Sequence, residues 1–488
     1  MAFHLFKKKN YADVIYEGGT IYTLDPEYPK ASAIAVKEGR VLLAGEQKEM
    51  ENLKGPDTVC VDLKGAFVIP GLTETMGTPV RTALKGFCLE LGKDLTKEEI
   101  LQAVEDYFNA NTDAEFCLAI EANLQTENKV ADGNETEDEE GEKTEDVSLK
   151  TLISERFPDK SVILASDNGY SIMLNNYADE MVKARAEELE VHTITPEFVI
   201  NAVVSNDFSI TLKQMFQQAE EYASKGITSV YSSEKYSFLE NIYRDSLIEA
   251  FQADMLKQRY FGSFHVDRRL NPSAVLYTSE RKRTICQELN KMVNFNTIEI
   301  RFSSDENNGD YMPEEYLKAM GEAAADKGFH VRYLPEDKQA VLTALDVAGN
   351  LSAAYHKLSF VVAHEQTLSD EELGTVYTGD AHQLIYGDLV CDKDKTNGEE
   401  FLREMTEEKA LQLGLIGILG TLEEGKMADM AVFEQDPTEL LSQKASMTII
   451  AGKVVYEKDK DNAENWASAL SSVIESNTEE IFGEEENE

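Results

Sequence analysis

The stretch AFVIPGLTETMGTPV, residues 66–80, decides how the rest of the chain is read. Apolar AFVIPGL reads as a buried strand that runs into the Pro70-Gly71 turn, after which the chain changes character. Upstream, ADVIYEGGTIYTLD (12–25) gives two strands about Gly18-Gly19, and ASAIAVKEGRVLLAGE (31–46) gives two more about Glu38-Gly39. TVCVDLKGAFVIPG (58–71) supplies a third pair about Lys64-Gly65. Such hairpins make a small antiparallel sheet that buries too little apolar surface to stand alone. The same style returns in GTLEEGKMADMAVFEQDP (420–437) and ASMTIIAGKVVYEKD (445–459). Strand edges seek pairing, so the economical expectation is one composite β-sandwich built from residues 1–70 and 405–460.

Between these ends, helical and strand patterns alternate. KEEILQAVEDYFNAN (97–111) and LKQMFQQAEEYASKG (212–226) carry apolar residues at three- and four-residue spacing and end in Asn or Gly. Short apolar strands accompany them: SVILAS (161–166), ITSVYSS (227–233), RYFGSFHVD (259–267), TIEIRFSS (297–304), FHVRYL (329–334) and KLSFVVAHE (357–365). Repeated helix and strand over such a length predict a parallel α/β domain. The number of units favours a TIM-like (β/α) barrel over residues 71–404, complete or cut short, inserted into the β-sandwich. Residues 461–488 read as a helix and an acidic tail.

A chain of 488 residues with 42% apolar content has enough material for a barrel core and a second small domain. Its charge is unusual, with 91 Asp and Glu against 47 Lys and Arg, a net −44. A field of that sign argues against nucleic acid or an anionic membrane as partner and favours solubility through self-repulsion. The opening MAFHLFKKKNYADVIYEGG lacks the apolar core and cleavage site of a secretory signal, and no window is long and uncharged enough to span a bilayer. Cys60, Cys88, Cys117, Cys286 and Cys391 are scattered without a C-x-x-C pair, so a cytoplasmic, reducing location is expected. Residues 126–150 and the tail NTEEIFGEEENE are dense in Glu and Asp and read as solvated segments. The spacing of a calcium loop is missing from residues 126–150.

Seven histidines are present: His4, His192, His265, His330, His356, His364 and His382. No H-x-H, H-E-x-x-H, G-x-S-x-G, P-loop or G-x-G-x-x-G occurs, so no zinc site, nucleophile elbow or phosphate cradle can be read locally. AHEQTLSDEEL (363–373) sets His364 and Glu365 at a strand end, where barrel enzymes keep their chemistry. TGDAHQL (378–384) sets Asp380 two residues before His382, a pair suited to a metal if other ligands converge.

Taken together, residues 12–45, 61–72, 166–178 (SDNGYSIMLNNYA), 225–233, 363–373 and 420–437 resemble the amidohydrolase superfamily. The branch they resemble is that of N-substituted formamide deformylase-like enzymes, amidohydrolase family 3. The resemblance implies a TIM-like barrel and metal-dependent hydrolysis of non-peptide C–N bonds, with zinc or another divalent metal as cofactor. It also implies where ligands belong. The family's PGFxDxHxH motif corresponds to PGLTETMGT, so Met76 and Thr78 stand at the paired histidines and Glu74 at the preceding aspartate. The bridging lysine falls within IEIRFSSDE, where Glu299 and Arg301 are the candidates. Leu334 stands for the next histidine, His364 keeps its own, and Tyr170 and Tyr231 replace two more. The GSDxP aspartate has no counterpart.

A hydrolytic zinc needs about three protein ligands to bring its bound water to a pKa near ~7. The expectation is therefore a pseudoenzyme with no metal ligands and no cofactor, retained for binding or regulation. Its ligand-pocket candidates are Met76, Thr78, Tyr170, Tyr231, Leu334 and His364, with an apolar pocket around His364. Two alternatives stay open: a hydrolase rebuilt around His364, Asp380 and His382, and a structural partner of an active amidohydrolase. The partner is an unidentified small molecule or protein, and a homo-oligomer is compatible with the sequence.

Overall fold

The computed structural model describes residues 10–460 apart from 78, 80–87, 93–94, 123, 125–146, 167–170, 193, 195, 205–207, 234–236, 267–270, 288–291, 386–397 and 440–442. Most of the acidic segment 126–150 and all of 461–488 lie outside the described residues. The chain packs as two compact units: Met1–Gly77, Gln217–Ser233 and Leu247–Glu488 form the first, and Thr78–Phe216 with Glu234–Ser246 form the second.

In chain order the strands begin with β1 (Val14–Tyr22), β2 (Lys30–Lys37), β3 (Arg40–Gly45), β4 (Val59–Asp62), β5 (Phe67–Pro70) and β6 (Leu72–Gly77). The second unit contributes β7 (Cys88–Glu90), β8 (Phe116–Ala122), β9 (Ser161–Ser166) and β10 (Ile172–Leu174). The first resumes with β11 (Ile227–Ser232), β12 (Arg259–His265), β13 (Val293–Phe302), β14 (His330–Pro335), β15 (Phe360–His364) and β16 (His382–Ile385). It ends with β17 (Met430–Phe433), β18 (Met447–Ile450) and β19 (Lys453–Glu457).

Strands from both ends of the chain share one eight-stranded sheet, in the order β19-β18-β17-β5-β1-β2-β3 with β4 on β1. β17 runs antiparallel to β5 and pairs Met430 with Pro70 and Phe433 with Phe67. Alternation along each strand fills both faces. Tyr16, Ile34, Val36, Val68, Met430 and Val432 join one apolar cluster. Their neighbours Ile69, Ala431 and Phe433 join another. Glu38 and Gly39 both take positive φ between β2 and β3, the geometry that matches a two-residue turn to strand twist.

At Gly71 the chain steps from this sheet into the parallel one. Its N–H donates to the Asp429 carbonyl at 2.9 Å. A Cβ at Gly71 would lie 2.0 Å from Thr228 Oγ1, so the close approach requires glycine. The parallel sheet then runs β6-β11-β12-β13-β14-β15-β16, every neighbouring pair parallel. It curls as half a barrel. Helices such as Glu314–Asp326 and Lys338–Ala354 connect its strands and bury Leu317, Met320, Val341 and Leu345. Burying each such side chain contributes roughly 1.5–3 kcal/mol.

Of the expected barrel, complete or cut short, this curled half is present. SVILAS is not one of its strands: β7, β8 and β9 form a parallel sheet of their own in the second unit, with β10 antiparallel on β9. Among the described residues β6 and β16 are the two ends of the parallel sheet. Helix–strand periodicity is the same in either arrangement, so pattern alone cannot assign a strand to a sheet. The second unit has its own core of Val104, Cys117, Ile153, Leu164 and neighbours. Its helix Lys97–Ala110 is opened by a Thr96–Glu99 capping box. Among the described residues no helix is long and apolar enough to cross a membrane.

Candidate functional site

The pleat and register of the parallel sheet set charged side chains beside one another near its carboxyl ends. Glu299 on β13 pairs in register with His265 on β12 and Arg332 on β14. The Glu299 carboxylate is fully buried. Tyr231 Oη donates to its Oε2 at 3.2 Å, and Ser233 Oγ lies 3.3 and 3.2 Å from the two oxygens. His265 Nδ1 is 3.5 Å from Oε1, and Arg332 Nε is 3.8 Å from Oε2. The Arg332 guanidinium also lies over the Tyr231 ring, 4.6 Å from its centre, a cation–π arrangement. One carboxylate thus accepts from two hydroxyls and has an imidazole and a guanidinium within ion-pair distance.

Burial pushes the Tyr231 phenol well above its usual range, and the Glu299 carboxylate adds to the rise; Arg332 and Ser263 act the other way. The phenol therefore stays protonated and serves as a donor. A second pair of charges stands close by. Lys409 is buried, which lowers its pKa; Glu404 and Glu74 draw it back up and Arg332 pushes it further down. Glu74 is itself buried on β6. A buried carboxylate and a buried ammonium in electrostatic reach stabilise each other's charged forms.

The residues singled out in the sequence fall in different places. Tyr231 belongs to the Glu299 group through its hydroxyl, and it also packs in an apolar cluster with Phe261, Ala410, Leu413 and Leu419. Leu334 is buried in an apolar cluster with Val361 and Ala363. His364 ends β15 fully buried, and strand alternation turns it to the face opposite Val361 and Ala363. Leu334 and His364 therefore stand on opposite faces of the parallel sheet. Burial lowers the His364 pKa, opposed by a hydrogen bond with the Gln366 backbone.

His382 opens β16 opposite Val361, whereas His364 stands opposite Ile385. Three residues of extended chain separate the two levels, roughly 10 Å. Asp380 and Glu365 are exposed. His364 and His382 accordingly sit at different levels of the two adjoining strands. Burial lowers the His382 pKa and Asp380 opposes it. Met76 lies on β6 with its side chain outside the described residues, and Thr78 and Tyr170 are also outside them.

Sequence reasoning reached Glu74, Tyr231 and Glu299 but missed Ser233, His265, Arg332 and Lys409. Arg332 carries a local signal, a cation in the middle of the apolar strand FHVRYL. The others come from distant segments, and no spacing announces them.

Among the described residues no group of three or more His, Cys, Asp or Glu side chains converges as a metal ion requires. The donor chemistry agrees. Glu299 already accepts hydrogen bonds from Tyr231 and Ser233, and the Arg332 guanidinium stands 3.8 Å from the same Oε2 oxygen. These residues do not fit a divalent ion.

A model of the amidohydrolase family matches residues 372–456. Two named proteins share part of the sequence. Exoenzymes regulatory protein AepA of Pectobacterium carotovorum subsp. carotovorum is 30% identical over 117 residues, 24% of this chain and 25% of AepA. Protein LONG AFTER FAR-RED 3 of Arabidopsis thaliana is 30% identical over 95 residues, 20% of this chain and 16% of that protein. The matches thus span a quarter or less of either relative. Among solved structures, an uncharacterized metal-dependent hydrolase from Pyrococcus horikoshii superposes with a TM-score of 0.53 at 16% identity, covering 87% of this chain and 98% of that one. A zinc-bound adenosine deaminase from Xanthomonas campestris gives 0.51 at 12% identity, covering 96% and 99%. These two likenesses concern the fold.

Proposed function

We propose that this chain, whose family match and fold support membership of the amidohydrolase superfamily, binds a ligand or partner at its parallel-sheet site without metal-dependent hydrolysis. Within that superfamily the formamide deformylase-like branch is the one its sequence motifs resemble. The observation that carries the reading is the Glu299 group. Its carboxylate is engaged by Tyr231, Ser233, His265 and Arg332, and the positive charge beside it belongs to the protein.

The physical reasoning is electrostatic. A hydrolytic metal needs several free donors, an open coordination position and a base to take the proton of its water. Here the best-placed carboxylate already accepts from two hydroxyls, and Arg332 and Lys409 would repel a second cation. Leu334 offers no donor where the resemblance places a histidine. A regulatory role has independent support in the name of AepA, which shares 30% identity over its matched part.

The test is a turnover assay on the full chain, with N-formyl and N-acyl amines, cyclic amides and purine amines as substrates. It is run with and without added zinc, manganese or iron. No release of amine or carboxylate above the uncatalysed rate is expected in any condition. Metal-dependent turnover that disappears in Glu299→Gln would overturn the reading.

A further inference from the structure

We infer that the chain carries a second binding site, for a small zwitterion with an apolar body, at the amino ends of the parallel strands. It is separate from the Glu299 group and goes beyond the role proposed there. Arg259 opens β12 and Met292 immediately precedes β13, and both line a cavity of about 560 Å³. That volume lies within the roughly 300–1,000 Å³ of small-molecule sites. The length of β12 separates Arg259 from His265, the register partner of Glu299, so the cavity stands roughly 20 Å from that carboxylate. Two turns of the antiparallel sheet, Glu38-Gly39 and Ala451-Gly452, also border it. Ala428 ties them into one frame: its N–H donates to the Gly39 carbonyl at 2.9 Å, and its carbonyl accepts the Gly452 N–H at 3.0 Å. Tyr16 Oη adds a bond to the Gly452 carbonyl at 3.1 Å.

Charge selects the ligand. Arg40 and Lys453 line the cavity, and so do Asp13 and Glu38, yet no two of these opposite charges come within 4.0 Å of each other. Local bonds hold two of them in place. Arg40 Nη1 donates to the Gly425 carbonyl at 2.6 Å, and Asp13 Oδ2 accepts the Glu38 N–H at 2.6 Å. Cations and carboxylates kept apart around one cavity match a ligand that carries both charges, and each repels a simple ion of its own sign. Arg259 adds no net charge, because Asp429 neutralises it. Met292 and Met427, both half-buried, give the cavity an adaptable apolar wall.

Calorimetric titration of the full chain with L-phenylalanine tests this, with N-acetylphenylalanine, phenylalaninamide and glycine as comparators at matched ionic strength. Phenylalanine should bind saturably at one site per chain. The comparators lack the ammonium, the carboxylate and the apolar body in turn, and each should bind at least about tenfold more weakly. R40Q should narrow the gap between phenylalanine and its amide, and E38Q the gap between phenylalanine and its N-acetyl form. If R40Q does not fold, K453Q, at an exposed position, replaces it. Absence of saturable binding, equal binding of any comparator, or unchanged gaps in the folded variants overturns the proposal. Metal content of the same preparation keeps the two ideas apart: stoichiometric metal removes the metal-free reading, whereas lost zwitterion binding removes only this one.

Discussion

Arg259 and Asp429 form a two-point ion pair with both side chains almost wholly buried, 2% and 3% exposed. Arg259 opens β12 of the parallel sheet, and Asp429 immediately precedes β17 of the antiparallel one. The same carboxylate accepts the Ala451 N–H at 2.8 Å, and the Asp429 carbonyl accepts the Gly71 N–H at 2.9 Å. One residue therefore fixes the point at which the chain passes between sheets. Removing one partner of a buried pair leaves an uncompensated charge, so Asp429→Asn should cost about 3–5 kcal/mol by urea unfolding. Glu434→Gln, which breaks the more exposed pair with Lys458, should cost less than about 1 kcal/mol. Equal effects would remove the special role of Asp429.

Glu299 and Arg332 should behave as a unit. Arg332→Met alone strands a buried carboxylate among neutral donors, and Glu299→Gln alone strands a buried guanidinium. The double variant loses both charges and should be less destabilised than the sum of the single ones, with a coupling of about 1–3 kcal/mol. A double-mutant cycle in chemical denaturation measures it. Simple additivity would mean that the two charges do not depend on each other.

His330 gives the fold a defined sensitivity to acid. Its Nδ1 accepts the Ser359 N–H at 2.9 Å, which requires a neutral ring, and burial pushes its pKa down to about 4. The unfolded ring titrates near ~6.5, so the contribution is present above that pH and is lost as pH falls toward 4. The loss is of order 3 kcal/mol and levels off once the native ring also protonates. His330→Asn should flatten the stability profile between pH 6.5 and 4 relative to the unaltered protein. An unchanged slope would assign the acid sensitivity to other groups.

Much of the strand pattern is legible because it is local. The turn signals Gly39 and Gly65 take positive φ between strands, whereas Gly18 takes it inside β1, so the two strands expected about Gly18-Gly19 are one; the alternation of Ala33, Ile34, Ala35 and Val36 fills two faces of one sheet. The fate of β7, β8 and β9 is not legible, since partner choice between two parallel sheets is decided by tertiary packing. The site is legible only in part for the same reason. Glu299 stands out within IEIRFSSDE, but the residues that satisfy it, Tyr231, Ser233, His265 and Arg332, lie in three other segments of the chain. His364 is the one family histidine kept in the sequence, and motif position alone carries no side-chain direction.

Arg332 stands beside Glu299 and Lys409 within electrostatic reach of Glu74, and the proposed metal-free role rests on these two cations. Elemental analysis of full-length protein, expressed with ample zinc, iron and manganese and purified without chelators, tests it most directly. The account predicts well under one equivalent of any of these metals after dialysis, and a melting temperature indifferent to added chelator. One firmly held equivalent per chain that is lost in Glu299→Gln or His364→Ala would contradict it.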